Sequence, residues 1–314
     1  MNAVRIVYDV EGWAYAHTAT ALRKYSPSGF QVSTAPFKRP DGSSDAEGAI
    51  GDTPMDLLYV MMNLPHSARQ LHKAVWSRGW RPRIVGGWNA GWPLGIESFP
   101  ERYREADLLI VNNHTAWDRL GRLPRTTCCP VGVDLDLFRI TTPLEIRQPR
   151  VLWVGSELQR EIKGYDDHLV PLQQRLTALG TVSDFRLVDS CGNRKSSQEE
   201  MAEWYNTGTV LVCASQTEGT PNPALEAAAC GCVIVSTPVG NMTELIRNGE
   251  NGYLVERTVD GLLAGIVAAI AGYRDLATQL QRDIQDWGWH AQSRAFFEAF
   301  RRALDSRPLP PASG

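Results

Sequence analysis

With 314 residues, 43% of them hydrophobic and 21% charged, the chain is long enough for two buried cores and carries no low-complexity tract. Its formal charge of −3 is uneven, net +2 over residues 1–140 and net −5 over residues 141–314. No apolar run reaches the length of a bilayer-crossing helix, and MNAVRIVYDV lacks a charged leader ahead of a long apolar stretch, so it reads as a first strand rather than a signal peptide. The six cysteines, Cys128, Cys129, Cys191, Cys213, Cys230 and Cys232, show no CxxC spacing and read as reduced thiols, hence a cytoplasmic protein.

In chain order, residues 6–10 (IVYDV) form the first expected strand, and a helix follows Glu11-Gly12-Trp13 through Lys24. A dinucleotide-binding dehydrogenase would show G-x-G-x-x-G here, but only Gly12 is present. Residues 38–52 are polar and loop-like. Apolar segments 57–60, 83–86, 106–112 and 129–134 continue the strands. Between the first two of these, residues 66–83 (HSARQLHKAVWSRGWRPR) carry Arg69, Lys73, Arg78, Arg81 and Arg83 with no acid, interleaved with Trp76 and Trp80. This segment has two readings: a solvated helix face over two core tryptophans, or a surface for an anionic partner such as a nucleic-acid backbone, phospholipid headgroups or an acidic glycan.

Residues 141–149 (TTPLEIRQP) read as a linker between a domain at 1–140 and another at 150–285. The second series of strands is 150–155, 185–189, 210–214, 233–236 and 253–255, with a core helix at 262–271. Residues 241–247 read as a short helix capped by Asn241, with Glu244 at capping-box spacing. A last helix lies within 286–305. Short apolar strands alternating with helical stretches predict an α/β protein with parallel, doubly wound sheets.

The most informative stretch is VLVCASQTEGTPNPALE, residues 210–226. A buried strand runs into a turn-rich loop, and a helix opens with Asn222 as its expected cap and Pro223 in its first position. That geometry turns the positive end of a helix toward an anion. Glu218 in the loop and Glu226 in the helix flank the site. Continued to residue 255, EGTPNPALEAAACGCVIVSTPVGNMTELIRNGENGYLV resembles the donor-site signature of family-four retaining glycosyltransferases of the GT-B fold. Shared elements are the Glu-x7-Glu pair, a small-residue helix, a buried strand, a Pro-Val-Gly turn, a Glu-containing helix and an NGxNG turn. PVGVDLDLF, from residue 130, resembles the family's ending of the first domain, with Val131 where Asn is usual. GWAYAHTATALRKY is similar to short, phage-encoded glycosyltransferases, some of which decorate hydroxymethylated pyrimidines in DNA.

The resemblance implies two Rossmann-like domains facing an interdomain cleft, with the C-terminal helix 286–305 crossing back to the first. It implies a hexosyltransferase-type enzyme taking a nucleotide-diphosphate sugar, such as a UDP- or GDP-sugar, as substrate, with no cofactor. Glu226 would grip the ribose hydroxyls, and Glu218 would face the transferred sugar. The diphosphate would meet the backbone of Gly219, Thr220, Pro221, Asn222, Pro223 and Ala224 and be neutralised by Lys163. Gly12 would let the backbone approach the donor phosphates, although an ordinary turn glycine reads equally well. The family's Gly-Arg pair is absent, Ser156 standing where Arg is usual. Arg160 is either its substitute or a solvent-facing side chain. With cations and a helix start available and no Asp-x-Asp motif, the expected mechanism is metal-independent.

The acceptor side is less defined. Trp13, Trp88, Asn89 and Trp92 lie in loops where aromatic platforms stack on sugars or bases. The comparable stretch 86–93 lacks the histidine that relatives often carry. His17 and His114 are candidates for the cleft, or else helix-face histidines. The acceptor is left between a hydroxymethylated pyrimidine in DNA, reached through the basic segment, and a glycan or lipid. Two rivals remain: a GT-B-fold epimerase or phosphorylase working on the sugar nucleotide or sugar phosphate, and a non-catalytic nucleic-acid-binding module.

Overall fold

The computed structural model describes residues 1–12, 14–61, 65–88, 104, 106–188 and 196–306. The chain forms two compact units, Met1–Gly132 with Trp289–Gly314, and Val133–Gly288. The change of unit therefore precedes the sequence's linker candidate. Residues 141–149 pack on the second unit, where Arg147 is buried and its guanidinium donates to the carbonyls of Thr142, Gly208 and Cys230 and to Asn206 Oδ1.

The first unit holds six strands, β1 (Asn2–Tyr8), β2 (Phe30–Pro36), β3 (Leu57–Val60), β4 (Arg83–Trp88), β5 (Leu108–Val111) and β6 (Thr126–Cys128), in the order β2-β1-β3-β4-β5-β6. All pair in parallel. Parallel sheets need both faces covered, which explains strands that are apolar throughout, such as LLYV and LLIV. One face packs against helix Ala14–Lys24 and the C-terminal helix Trp289–Asp305, whose Phe296, Phe297 and Phe300 join Val4, Ile6, Leu57 and Tyr59 in one core. The opposite face packs against Ala46–Ile50 and Pro65–Ser77.

The second unit has β7 (Arg150–Ser156), β8 (Val182–Val188), β9 (Val210–Cys213), β10 (Val233–Ser236) and β11 (Gly252–Leu254) in the order β11-β10-β9-β7-β8, again all parallel. Neighbouring residues of β7 face opposite cores. Leu152 packs with the helix Asn222–Ala229, while Val151 and Trp153 pack with Val170–Ala178 and Val259–Ala271. The fold is thus two parallel-sheet Rossmann-like α/β domains, as the alternation of elements predicts.

Several boundaries differ from the sequence reading. β1 begins at Asn2 because its whole length pairs with β2, and it leaves the sheet before Val10, whose N–H the Asp9 carboxylate accepts at 2.8 Å. The strand expected at 129–134 is β6, Thr126–Cys128, and Val133 makes only an isolated bridge to Gly288. Within the expected loop 38–52, Asp45 caps a helical turn by accepting from the Gly48 N–H at 2.9 Å. Asn241 precedes the helix Met242–Leu245 without a side-chain cap; the chain's capping box is Ser197 with Glu200.

Candidate functional site

In the second unit the strand order turns about β7: the next strand, β8, lies on one side and β9 on the other. The helix after β7 covers one face of the sheet and the helix after β9 covers the other. Two loops therefore part above the carboxyl ends of adjacent strands, and such a switch point is where open α/β sheets form a ligand crevice. The loop after β7 carries Lys163. The loop after β9 carries Glu218.

These two side chains meet. Lys163 Nζ donates to Glu218 Oε1, with only 16% and 11% of the respective side chains exposed. Ser215 Oγ donates to the same oxygen at 2.6 Å, and the Ser215 carbonyl accepts from Thr237 Oγ1 at 2.6 Å. Glu218 Oε2 has no hydrogen-bond partner among the described residues. One oxygen is held and the other is left for a ligand. Burial pulls the Lys163 ammonium down, but the charge and hydrogen bond of Glu218 outweigh it and leave its pKa above the usual value.

Glu226 sits on the first turns of the helix Asn222–Ala229 and accepts a hydrogen bond from the fully buried Tyr205 hydroxyl at 3.0 Å. Burial raises its pKa from 4.5 to about 7, and the Tyr205 bond pulls it partly back. Beneath the loop, the Gly240 turn approaches so closely that a Cβ there would collide with the Gly219 carbonyl, and Asn241 Nδ2 donates to Thr220 Oγ1 at 3.2 Å. Gly219, Thr220 and Glu218 thus rest on a turn whose close approach requires glycine, at a φ of 50°.

The helix start differs from expectation. The residue before the helix is Pro221, Asn222 is its first residue, and there is no side-chain cap. Pro221 and Pro223 have no N–H. The Asn222 N–H goes to Thr220 O at 3.0 Å, and the Ala224 N–H to Pro221 O at 2.8 Å. The expected cradle of free N–H groups over 219–224 is therefore mostly absent. The helix brings the positive end of its dipole to the site, beside the Lys163 ammonium.

Arg160 is turned away. Its guanidinium binds Asp166 through two hydrogen bonds of 2.5 Å and lies over the Tyr165 ring at 4.9 Å, with 43% of the side chain exposed. Ser156, the last residue of β7, stands at the crevice edge.

The first-domain candidates scatter. Trp88 is fully buried with Leu109, Val111 and Ala116, which corrects its reading as an exposed stacking platform. His17 lies half-buried on the helix Ala14–Lys24, and His114 is exposed at the start of His114–Arg119, a helix capped by Asn113. Gly12 adopts a φ of 73° with open space around it, as a turn glycine does. Trp13, Asn89 and Trp92 lie outside the described residues.

Among the described residues, two of the five cations of the basic segment pair with acids from elsewhere in the chain. Arg78 pairs with Glu47 and Asp52 and stacks on Trp80, Arg83 pairs with Asp107, and Arg81 binds the Trp80 and Trp76 carbonyls. Arg69 and Lys73 are exposed on their helix. No group of three or more His, Cys, Asp or Glu side chains able to hold a metal occurs among the described residues, and no single helix there is long and apolar enough to cross a membrane.

Sequence reasoning missed two contributors to the site: Ser215 and Tyr205. Ser215, three residues before Glu218, offered a signal in its spacing. Tyr205 offered none, because its contact with Glu226 spans 21 positions.

Two parallel-sheet Rossmann-like domains make up the fold that solved GT-B glycosyltransferases also show. Residues 140–271 match the family profile described as glycosyl transferases group 1. Over 109 residues the chain is 32% identical to a D-inositol 3-phosphate glycosyltransferase of Rhodococcus erythropolis, covering 33% of this chain and 25% of that protein. Over 247 residues it is 27% identical to the protein of that name from Xylanimonas cellulosilytica, covering 65% and 58%. The chain thus spans between a quarter and about three fifths of these curated relatives. Among solved structures it resembles sucrose-phosphate synthase from Thermosynechococcus elongatus, with a TM-score of 0.67, 17% identity and 96% and 99% of the two chains covered. It also resembles Anabaena HepE in complex with UDP-glucose, with a TM-score of 0.68, 18% identity and 96% and 100% covered. At such identities the likeness shows the fold.

Proposed function

We propose that this chain is a retaining, metal-independent glycosyltransferase that moves a sugar from a nucleotide diphosphate to an acceptor hydroxyl, with Glu218, Lys163 and Glu226 as its donor-site residues. The observation that carries this reading is the Glu218 carboxylate, one oxygen bound by Lys163 and Ser215 and the other open. A fixed carboxylate of this kind accepts a sugar hydroxyl and offsets positive charge growing at the anomeric carbon. Lys163, adjacent and protonated, neutralises the leaving diphosphate. In the transfer step the bond from the anomeric carbon to the phosphate oxygen breaks as the acceptor oxygen bonds on the same face. The departing diphosphate takes the acceptor proton, so no separate general base is needed. Glu226 receives the ribose hydroxyls. The donor assignment is supported by the group 1 profile and by neighbours solved with UDP and UDP-glucose.

A binding screen across UDP-, GDP- and other nucleotide sugars tests the donor, followed by transfer assays on inositol 3-phosphate, oligosaccharides, lipids and hydroxymethylated DNA. Transfer with the donor's anomeric configuration kept, undiminished by EDTA, is the expected result. Conversion of the sugar nucleotide without any acceptor would point instead to an epimerase, and loss of turnover to EDTA, restored by Mg²⁺, would overturn metal independence.

A further inference from the structure

We infer that Arg257 is a positioning residue for Lys163, tying together the two chain segments that carry the Lys163–Glu218 pair. The inference rests on the donor-site reading above and assigns a role to a residue outside it. Arg257 follows β11, two strands away from β9 in the sheet, yet its guanidinium reaches across the carboxyl ends of the strands. Nε donates to the Ala214 carbonyl at 2.9 Å and Nη2 to the Glu161 carbonyl at 3.3 Å. Ala214 lies at the exit of β9, four residues before Glu218; Glu161 lies two residues before Lys163. One planar cation therefore joins both loops at their roots. No carboxylate pairs with it among the described residues, and the two hydrogen bonds it makes both go to backbone carbonyls.

One further contact stitches the same seam. The Gln216 N–H donates to the Ile162 carbonyl at 2.8 Å, so successive carbonyls before Lys163 are both held by the β9 side or by Arg257. Gly164 follows at a φ of 70°, with Arg257 Nη2 and the Ala214 carbonyl each 3.0 Å from the position a Cβ would occupy. Any side chain there would push against the clamp. A flexible lysine gains little from one ion pair unless its backbone is fixed, because ordering its side chain costs up to about 2 kcal/mol of rotamer entropy. The clamp supplies that fixation from behind the crevice. The hydrogen bonds of Arg257 among the described residues go to main-chain carbonyls, so the role inferred for it runs through Lys163.

The test is a double-mutant cycle read by calorimetric titration with UDP and GDP on Arg257→Met, Lys163→Met and the double variant, with thermal midpoints recorded for each. Arg257→Met is expected to weaken nucleoside-diphosphate binding about tenfold, and the double variant to bind as Lys163→Met does, because removing the lysine removes what the clamp positions. Arg257→Lys keeps the charge and one carbonyl contact, and is expected to fall between wild type and Arg257→Met. That variant also serves if Arg257→Met fails to fold. Losses that multiply in the double variant, or full affinity in Arg257→Met while Lys163→Met is impaired, would overturn the clamp and leave the donor site standing. Unchanged affinity in Lys163→Met would remove the donor-site assignment of the lysine and the clamp with it.

Discussion

Glu226 is the carboxylate whose chemistry its surroundings displace furthest among the site residues. Burial raises its pKa to about 7, so near neutrality it is shared between two protonation states. The sign follows directly. A carboxylate with a raised folded-state pKa contributes full stability below the unfolded value of 4.5 and loses it as pH climbs through about 7. Glu226→Gln should therefore melt higher than wild type at pH 8, by the equivalent of about 1–3 kcal/mol, and match it at pH 4, as thermal denaturation across pH would show. Donor binding runs the other way, since ribose hydroxyls donate best to the ionised form. Wild-type affinity for a nucleoside diphosphate should fall as pH drops below 7, while Glu226→Gln should bind weakly and without that slope. A wild-type affinity flat from pH 5 to 8 would remove Glu226 from the ribose site. Neither the raised pKa nor the Tyr205 contact was legible in the sequence, because both come from residues brought together by the sheet.

At the scale of elements, the strand–loop–helix from Val210 to Glu226 was legible because each part carries its own composition: β-branched residues, then polar turn residues, then alanines. The helix start was misread for a reason that is equally local. Asn222 lies in the first turn between two prolines and its N–H goes to the Thr220 carbonyl, so a residue type favoured as a cap does not act as one. Trp88 was misplaced because a tryptophan beside two glycines reads like a loop platform, whereas β4 runs through it into the core. The basic segment left two readings open because the acidic partners of Arg78 and Arg83, namely Glu47, Asp52 and Asp107, lie outside it in sequence. Two elements invite direct tests. Gly164→Ala should cost about 1–3 kcal/mol in urea unfolding and weaken donor binding, since it strains the backbone and presses on the Arg257 clamp. Arg147→Met should be more severe. It strips a partner from the buried Gly208 and Cys230 carbonyls and from the part-buried Thr142 carbonyl at once, for an expected loss of about 3–5 kcal/mol with the Lys163–Glu218 pair chemically untouched.

For the whole molecule, the doubly wound class was readable from alternation alone, whereas the return of the last helix to the first unit was expected from the family resemblance. The first unit is discontinuous: its core is completed by the C-terminal helix, whose phenylalanines pack on Tyr59 at ring distances of 6.3 and 5.4 Å. Each such buried phenylalanine contributes about 1.5–3 kcal/mol, a large share of a domain's net stability. Removing residues 289–314 should therefore unfold or aggregate the first unit, visible as a lost cooperative transition in calorimetry. A truncated chain that melts like the intact one would show the helix to be an accessory.

In the proposed reaction Glu218 and Lys163, paired at the switch point of the second sheet, act on a nucleotide-diphosphate sugar. That assignment is tested most directly by the rate of nucleoside-diphosphate release from the preferred sugar nucleotide, compared between wild type and Glu218→Gln. The account expects release to fall by about a hundredfold or more in the variant, with its thermal midpoint close to wild type and its nucleotide still bound. Equal rates in the two proteins would contradict it.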